Sequence, residues 1–207
     1  AVDVSNEITL GNSSITKFRV PGLNFSIKDS TATDNYVLTV DANGDAGWES
    51  PGGVLQVVQT VKSAKFSETS LSSGTYSGDV ITCAITPTSS NSKILVTASL
   101  AVGSSLSGPT IGAILVRDST ITDYRGPASG NRIRTAGTTT QPHHSNIANL
   151  ALEYLDSPST ASEVTYRIRL CGLFGESSHT VYLNQGSDDS NNSYIAQPAS
   201  TITLTEV

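Results

Sequence analysis

Val164, Tyr166, Ile168 and Leu170 alternate with Thr165, Arg167 and Arg169. Only an extended chain puts every second side chain on one face, whereas a helix needs a spacing of about 3.6 residues. This run therefore predicts a strand with one buried and one wet face. The same period returns at Ile94, Val96, Ala98, Leu100 and Val102, and here Leu95 and Ala101 add apolar character to the other face. Such a strand belongs at the centre of a sheet or at a subunit contact. Further runs at residues 55–62, 80–85, 111–117, 147–155, 180–183 and 201–206 follow at the spacing of a β-sandwich. Residues 147–155 also fit a helix, because Ile147, Leu150, Ala151 and Tyr154 stand at helical spacing behind Ser145.

The first 50 residues are patterned more thinly. Phe18 and Val20 stand against Lys17 and Arg19, then Leu23, Phe25 and Ile27 against Asn24, Ser26 and Lys28, with Pro21-Gly22 between them as a type II turn. Tyr36 to Val40 reads as another strand, and Asn43-Gly44 as a tight hairpin leading to Gly47-Trp48. Strands this short bury too little to offset the entropy of ordering them. They need neighbours, and copies of the same chain about a common axis supply the same apolar strip on every subunit. Glu49-Ser50-Pro51-Gly52-Gly53 then breaks the pattern. The expected organisation is a stranded stalk over residues 1–50 and a sandwich head over residues 54–207.

Composition narrows the partners. Charged residues make up 14% of the chain, so Ser, Thr, Asn and Gly must cover most of its surface. The net charge of −6 removes the counterion release that supplies most non-specific affinity for nucleic acid, and no nucleic-acid partner is expected. No apolar run approaches the roughly 18 residues of a membrane span, so no membrane insertion is expected. Ala1-Val2-Asp3-Val4 lacks the features of a secretory signal. Absence of Met, even at the start, favours a C-terminal piece of something longer over a processed first residue. Cys83 shares a face with Ile81 and Ile85 and reads as a small core hydrophobe, and neither it nor Cys171 stands in a C-x-x-C spacing. Free, unreactive thiols are expected.

The chemistry-bearing candidates are few. Residues 125–145 read as one long segment of weak strand character holding Arg125, Arg132, Arg134, His143 and His144 and no carboxylate. Loops beyond about 12 to 15 residues are usually functional or disordered. In an acidic chain this local reversal of charge points to an anionic ligand, since Arg forks onto carboxylate or phosphate. The competing reading is a solvated loop or a subunit contact. His143 and His144 as a metal pair would have to point the same way, which adjacent residues of an extended chain do not, so surface histidines are expected and no metal site. Asp41 to Asp45 resembles part of a calcium loop but lacks its later glutamate, and a hairpin turn explains it. Asp188, Asp189 and Tyr194 offer hard oxygens and a ring for sugar stacking, against a plain solvated loop. Tyr124, beside Arg125, completes the candidate receptor-binding set.

Catalytic motifs are missing: no G-x-S-x-G elbow, no H-E-x-x-H helix and no glycine-rich phosphate loop. A glycosidase pair drawn from Asp118, Asp123 and Glu153 is the one enzymatic alternative. The expectation is a binding protein without catalytic residues or cofactor.

Three stretches resemble the distal end of a bacteriophage tail fibre. Ile8-Thr9-Leu10-Gly11-Asn12 through Val20-Pro21-Gly22-Leu23 is similar to short shaft strands, and Val37 through Trp48 to the strand, glycine turn and tryptophan that join shaft to head. Leu155-Asp156-Ser157-Pro158, Thr165-Tyr166-Arg167 and the closing Ser200 to Glu206 look like the ending of a head family common in phage fibres. The resemblance implies an all-β homotrimer with a short intertwined stalk and a jelly-roll-like antiparallel head. It implies a virion protein that acts outside the cell, adheres to a host glycan or protein receptor and joins other tail proteins through its N-terminal side. A trimer-capping domain and the non-catalytic end of a polysaccharide-degrading spike are the alternatives. The middle, residues 103–145, matches nothing in the family, and variable loops are where receptor choice would sit.

Overall fold

The computed structural model of the protein describes residues 17–20, 25–28, 36–40, 45–49, 52–108, 110–122, 124–173 and 178–207. Every regular element among them is a β-strand, and no helix there is long and apolar enough to cross a membrane. The chain divides into two compact units between Gly53 and Val54.

The first unit holds β1 (Lys17–Val20), β2 (Phe25–Lys28), β3 (Val37–Val40) and β4 (Asp45–Glu49) in one sheet of order β1-β2-β4-β3. β1 and β2 pair antiparallel with Phe18 opposite Ile27, and β3 and β4 pair antiparallel with Leu38 opposite Trp48. The turns predicted at Pro21-Gly22 and Asn43-Gly44 lie outside the described residues. Val37, Leu38 and Val40 are exposed.

The second unit is a sandwich of two antiparallel sheets. One contains β7 (Asp79–Ile85), β13 (Val164–Leu173) and β9 (Thr110–Arg117), with β10 (Thr120–Ile121) and β11 (Gly137–Thr140) sharing the far edge of β9. The other is built on β8 (Ile94–Ser104), which pairs along one edge with β12 (Ala148–Asp156). Along its other edge β8 pairs first with β15 (Ser200–Glu206) and then with β14 (His179–Leu183), and these carry β5 (Gln56–Lys62) and β6 (Phe66–Leu71) respectively. β8 is thus central, as its two apolar faces predict. The inner faces meet in a core that includes Ile94, Val96, Leu100, Tyr166, Ile168, Leu170, Ile202 and Leu204.

One reading of the sequence holds and one changes. The stretch 147–155, read as a strand although it also fits a helical spacing, forms one, with Leu152 opposite Ala98 and Leu150 opposite Leu100. Burying those residues between sheets outweighs the weak helical spacing. The supposed single loop 125–145 is interrupted by β11, where Thr139 pairs with Ile111 and Thr138 with Gly112. Its Gly-Thr-Thr-Thr sequence has strand propensity but no apolar alternation to reveal it.

Where pairing along β8 passes from the start of β15 to the end of β14, Ala101 is satisfied by one side chain and one main-chain amide. The Ala101 amide donates to Ser200 Oγ (3.0 Å), and the Asn184 amide donates to the Ala101 carbonyl (2.7 Å). Asn184 is fully buried at φ 62°, with its Nδ2 donating to the carbonyls of Lys62 and Ala64 and its Oδ1 accepting from Ser200 Oγ (2.6 Å).

The outer face of the β8 sheet lies bare in ladder rows. Val57, Thr205, Leu95 and Leu155 form one row, Gln59, Thr203, Thr97 and Glu153 the next, and Val61, Thr201, Ser99 and Ala151 a third. Glu153 is the single charge among these twelve side chains.

Candidate functional site

The arginine segment is a built structure. Arg125 is half-buried and its Nε donates to the Thr122 carbonyl at 3.1 Å, while Thr122 is anchored to Leu115 of β9 through its amide (3.0 Å). Arg134 Nε donates to the Gly126 carbonyl at 2.6 Å, and the Arg134 carbonyl accepts from the Tyr76 hydroxyl at 3.0 Å. Arg132 is exposed. Tyr124 stacks on Tyr154 of β12, with ring centroids 4.8 Å apart and planes 11° apart. The ion pairs among the described residues engage Lys65, Arg117, Arg167 and Arg169, and none includes Arg125, Arg132 or Arg134.

The histidines belong elsewhere. The four residues of β11 span roughly 13 Å at 3.4 Å each, so the strand separates them from the arginines. The chain turns at His143 and His144, contrary to the extended run assumed from sequence, and the rings face each other with centroids 4.2 Å apart. His143 Nδ1 accepts from the Ser145 amide (3.2 Å), and His144 Nδ1 bonds Ser187 Oγ (2.7 Å). These bonds tie the pair to the segment that carries Asp188, Asp189 and Tyr194. Asp189 forms an ion pair with Lys65. Hydrogen bonds from the Ser190 side chain and amide hold the exposed Asp188 carboxyl below its ordinary range. Tyr194 is 77% exposed and borders a shallow hollow of about 320 Å³ with Pro142, Ser145, Asn146, Ile147, Ile195 and Ala196. The nine predicted residues therefore fall into two separate groups.

Sequence reasoning did not anticipate a third feature. Between the edge strands β10 and β12, at the open side of the sandwich, lies a polar hollow of about 270 Å³ lined by Arg117, Thr120, Ile121, Thr122, Tyr154, Leu155, Asp156 and Ser157. Asp156 is 6% exposed; its Oδ2 accepts from Arg117 Nη1 (2.6 Å) and from the Tyr166 hydroxyl (2.7 Å). Burial, joined by the hydrogen bond to Asp156, pushes the Tyr166 phenol far above its ordinary range. Burial opposes the charge on Arg117, but the hydrogen bond and charge of Asp156 outweigh it and raise the guanidinium pKa further. The network is thus a fixed ion pair capped by a neutral phenol. Leu155-Asp156-Ser157-Pro158 and Thr165-Tyr166-Arg167, parts of one stretch singled out in the sequence, meet here.

The carboxylates considered for glycoside cleavage do not assemble among the described residues. Asp118 lies in the β9–β10 turn, where its Oδ1 accepts from the Thr165 amide (2.9 Å), Glu153 faces out from the other sheet, and Asp123 lies outside the described residues. No group of three or more His, Cys, Asp and Glu side chains among the described residues could hold a metal ion. Cys83 and Cys171 are free and buried, and burial pushes the Cys171 thiol up to about 12, which leaves almost no thiolate at neutral pH.

No family model matches the chain, and no curated protein matches it. Among solved structures it is similar to the infectious bursal disease virus VP2 subviral particle, at 11% identity and a TM-score of 0.37 over 86% of this chain and 46% of that one. The structure of the infectious bursal disease virus Gx strain is similar at 10% identity and a TM-score of 0.36, over 86% and 44%. The chain spans less than half the length of these two. A likeness at these scores carries no argument about function.

Proposed function

We propose that this chain is the adhesive end of a virion fibre: a homotrimeric, non-enzymatic β-sandwich head that binds an anionic glycan on the surface of a host cell. The observation that carries this reading is the arginine segment. In a chain of net charge −6, Arg125, Arg132 and Arg134 lie within ten residues and have no carboxylate partner among the described residues. The segment's own hydrogen bonds through Thr122, Gly126 and Tyr76 hold it in one shape before any ligand arrives, which lowers the ordering cost of binding. The resemblance to tail-fibre ends supports the virion setting, the trimer and the joining of other tail proteins on the N-terminal side. The bare, nearly uncharged outer face of the β8 sheet also suits self-association.

The test is binding of the full chain to a panel of purified acidic and neutral bacterial surface polysaccharides. Retention on acidic members, weakened about tenfold by Arg132→Gln and falling as salt rises, is the expected result; binding indifferent to both would overturn it. Release of reducing ends during incubation would overturn the non-enzymatic part.

A further inference from the structure

We infer that the hollow over the Arg117–Asp156 pair is a second, separate subsite, which takes one neutral pyranose ring through adjacent hydroxyls. The inference rests on the glycan-binding reading for its biological setting but on different residues. At about 270 Å³ the hollow falls just below the roughly 300 to 1,000 Å³ of clefts that hold drug-sized molecules, so it suits a single ring.

Its electrostatics choose the ligand class. Arg117 and Asp156 are ion-paired at 2.6 Å, so the site has no net charge to attract an anion or a cation. A phosphate or carboxylate drawn to Arg117 would meet Asp156, and an ammonium drawn to Asp156 would meet Arg117. A hydroxyl both donates and accepts, and two on neighbouring carbons can donate to the carboxylate and accept from the guanidinium at once. The atoms needed are available. Both bonds to Asp156 fall on Oδ2, leaving Oδ1 without a hydrogen-bond partner among the described residues. Arg117 carries five N–H donors about a side chain that is 31% exposed. Thr120 and Ser157 add polar groups at the rim, and Tyr154 and Leu155 add apolar surface for the C–H face of a ring. Tyr154 is held in place by its stack on Tyr124.

The pair is only partly withdrawn from water: the Asp156 side chain is 8% exposed and that of Arg117 is 31% exposed, so the guanidinium stays within reach of a ligand. Tyr166, wholly buried on β13, holds the Asp156 carboxylate through Oδ2, so the carboxylate is oriented by the core and not by a loop.

The experiment is saturation-transfer NMR on the full chain with methyl α-glucopyranoside, methyl α-galactopyranoside and methyl α-mannopyranoside at millimolar concentration. Thr120→Trp, at an exposed position of β10, closes the hollow without touching the ion pair, whereas Tyr166→Phe loosens the network from outside the lining. We expect transfer to at least one glycoside with the native chain and with Arg132→Gln, and at least a fivefold loss in Thr120→Trp. Tyr166→Phe, if folded by its melting transition, should weaken transfer, because the Asp156 carboxylate loses the bond that orients it. No transfer to any of the three, or transfer unchanged by Thr120→Trp, overturns the subsite while leaving the arginine-mediated attachment standing. Failure of the native chain to bind any polysaccharide overturns that attachment, and the glycoside experiment still decides the hollow.

Discussion

At the C-terminal end of β15, Glu206 is fully buried yet charged. Burial alone would push its carboxyl up, but hydrogen bonds from Ser92, Thr88 and Gln56 outweigh it and bring the pKa down to about 2. The geometry explains the direction: Oε1 accepts from the Thr88 amide (2.7 Å) and hydroxyl (2.6 Å), and Oε2 from Gln56 Nε2 (2.5 Å). Because the folded pKa lies below the unfolded one, this stabilisation is complete above about pH 4.5 and is lost as pH falls toward 2. A shift of that size corresponds to roughly 3 kcal/mol. Glu206→Gln should therefore be less stable than the native chain at pH 7, and the difference should shrink between pH 4.5 and 2; urea melts across that range check it. Asn184 offers a second measurement at this scale. Asn184→Ala strands the carbonyls of Lys62 and Ala64 and should cost roughly 2 to 4 kcal/mol. Asn184→Gly loses the same bonds but suits φ 62°, and should recover about 1 kcal/mol of that in the same urea melts.

Among elements, those legible in the sequence are the ones whose alternation is unbroken. β8 and β13 face the core with every second residue and fall where the period places them. β6 was not legible, because a register irregularity opposite His179 and Val181 and a positive φ at Ser70 (58°) put Leu71 out of step with Phe66. β11 has no apolar side chain at all, and β10 has only two residues. The candidate site was legible only where its residues are neighbours in sequence. The arginine segment shows as a charge reversal, whereas Arg117, Asp156 and Tyr166 come from three strands and no local spacing joins them. Nor does sequence distinguish arginines that bind from arginines that brace. Arg134 holds the Gly126 carbonyl, while Arg132 is exposed, so replacing each by Ala should separate the roles. Arg132→Ala should change stability by no more than about 0.5 kcal/mol, and Arg134→Ala should cost about 1 kcal/mol. Hydrogen exchange over residues 126–135 should quicken only in Arg134→Ala; equal protection in both variants would show that the brace contributes nothing.

For the whole molecule, the proposed trimer turns on how much of the chain its contact would need. Among the described residues the core lies in the second unit, from Leu71 to Leu204, so residues 54–207 should fold alone with one cooperative transition. Association is a different matter. Four strands about 4.8 Å apart, with three outward rows about 6.8 Å apart, give a bare face of roughly 400 Å² in projection. A stable interface usually buries about 800 Å² on each partner, so this face falls short by itself. The first unit supplies further apolar surface through exposed Val37, Leu38 and Val40. Light scattering at micromolar concentration should therefore find the full chain trimeric and residues 54–207 monomeric. Val57 and Val61 are 58% and 59% exposed, and replacing both with Lys should leave the fold intact. It should shift the full chain toward monomer, because burying two lysines in an apolar contact costs their desolvation. A monomeric full chain would overturn the trimer, a trimeric 54–207 would show that the head needs no help, and a lysine variant that stays fully assembled would place the contact on another face.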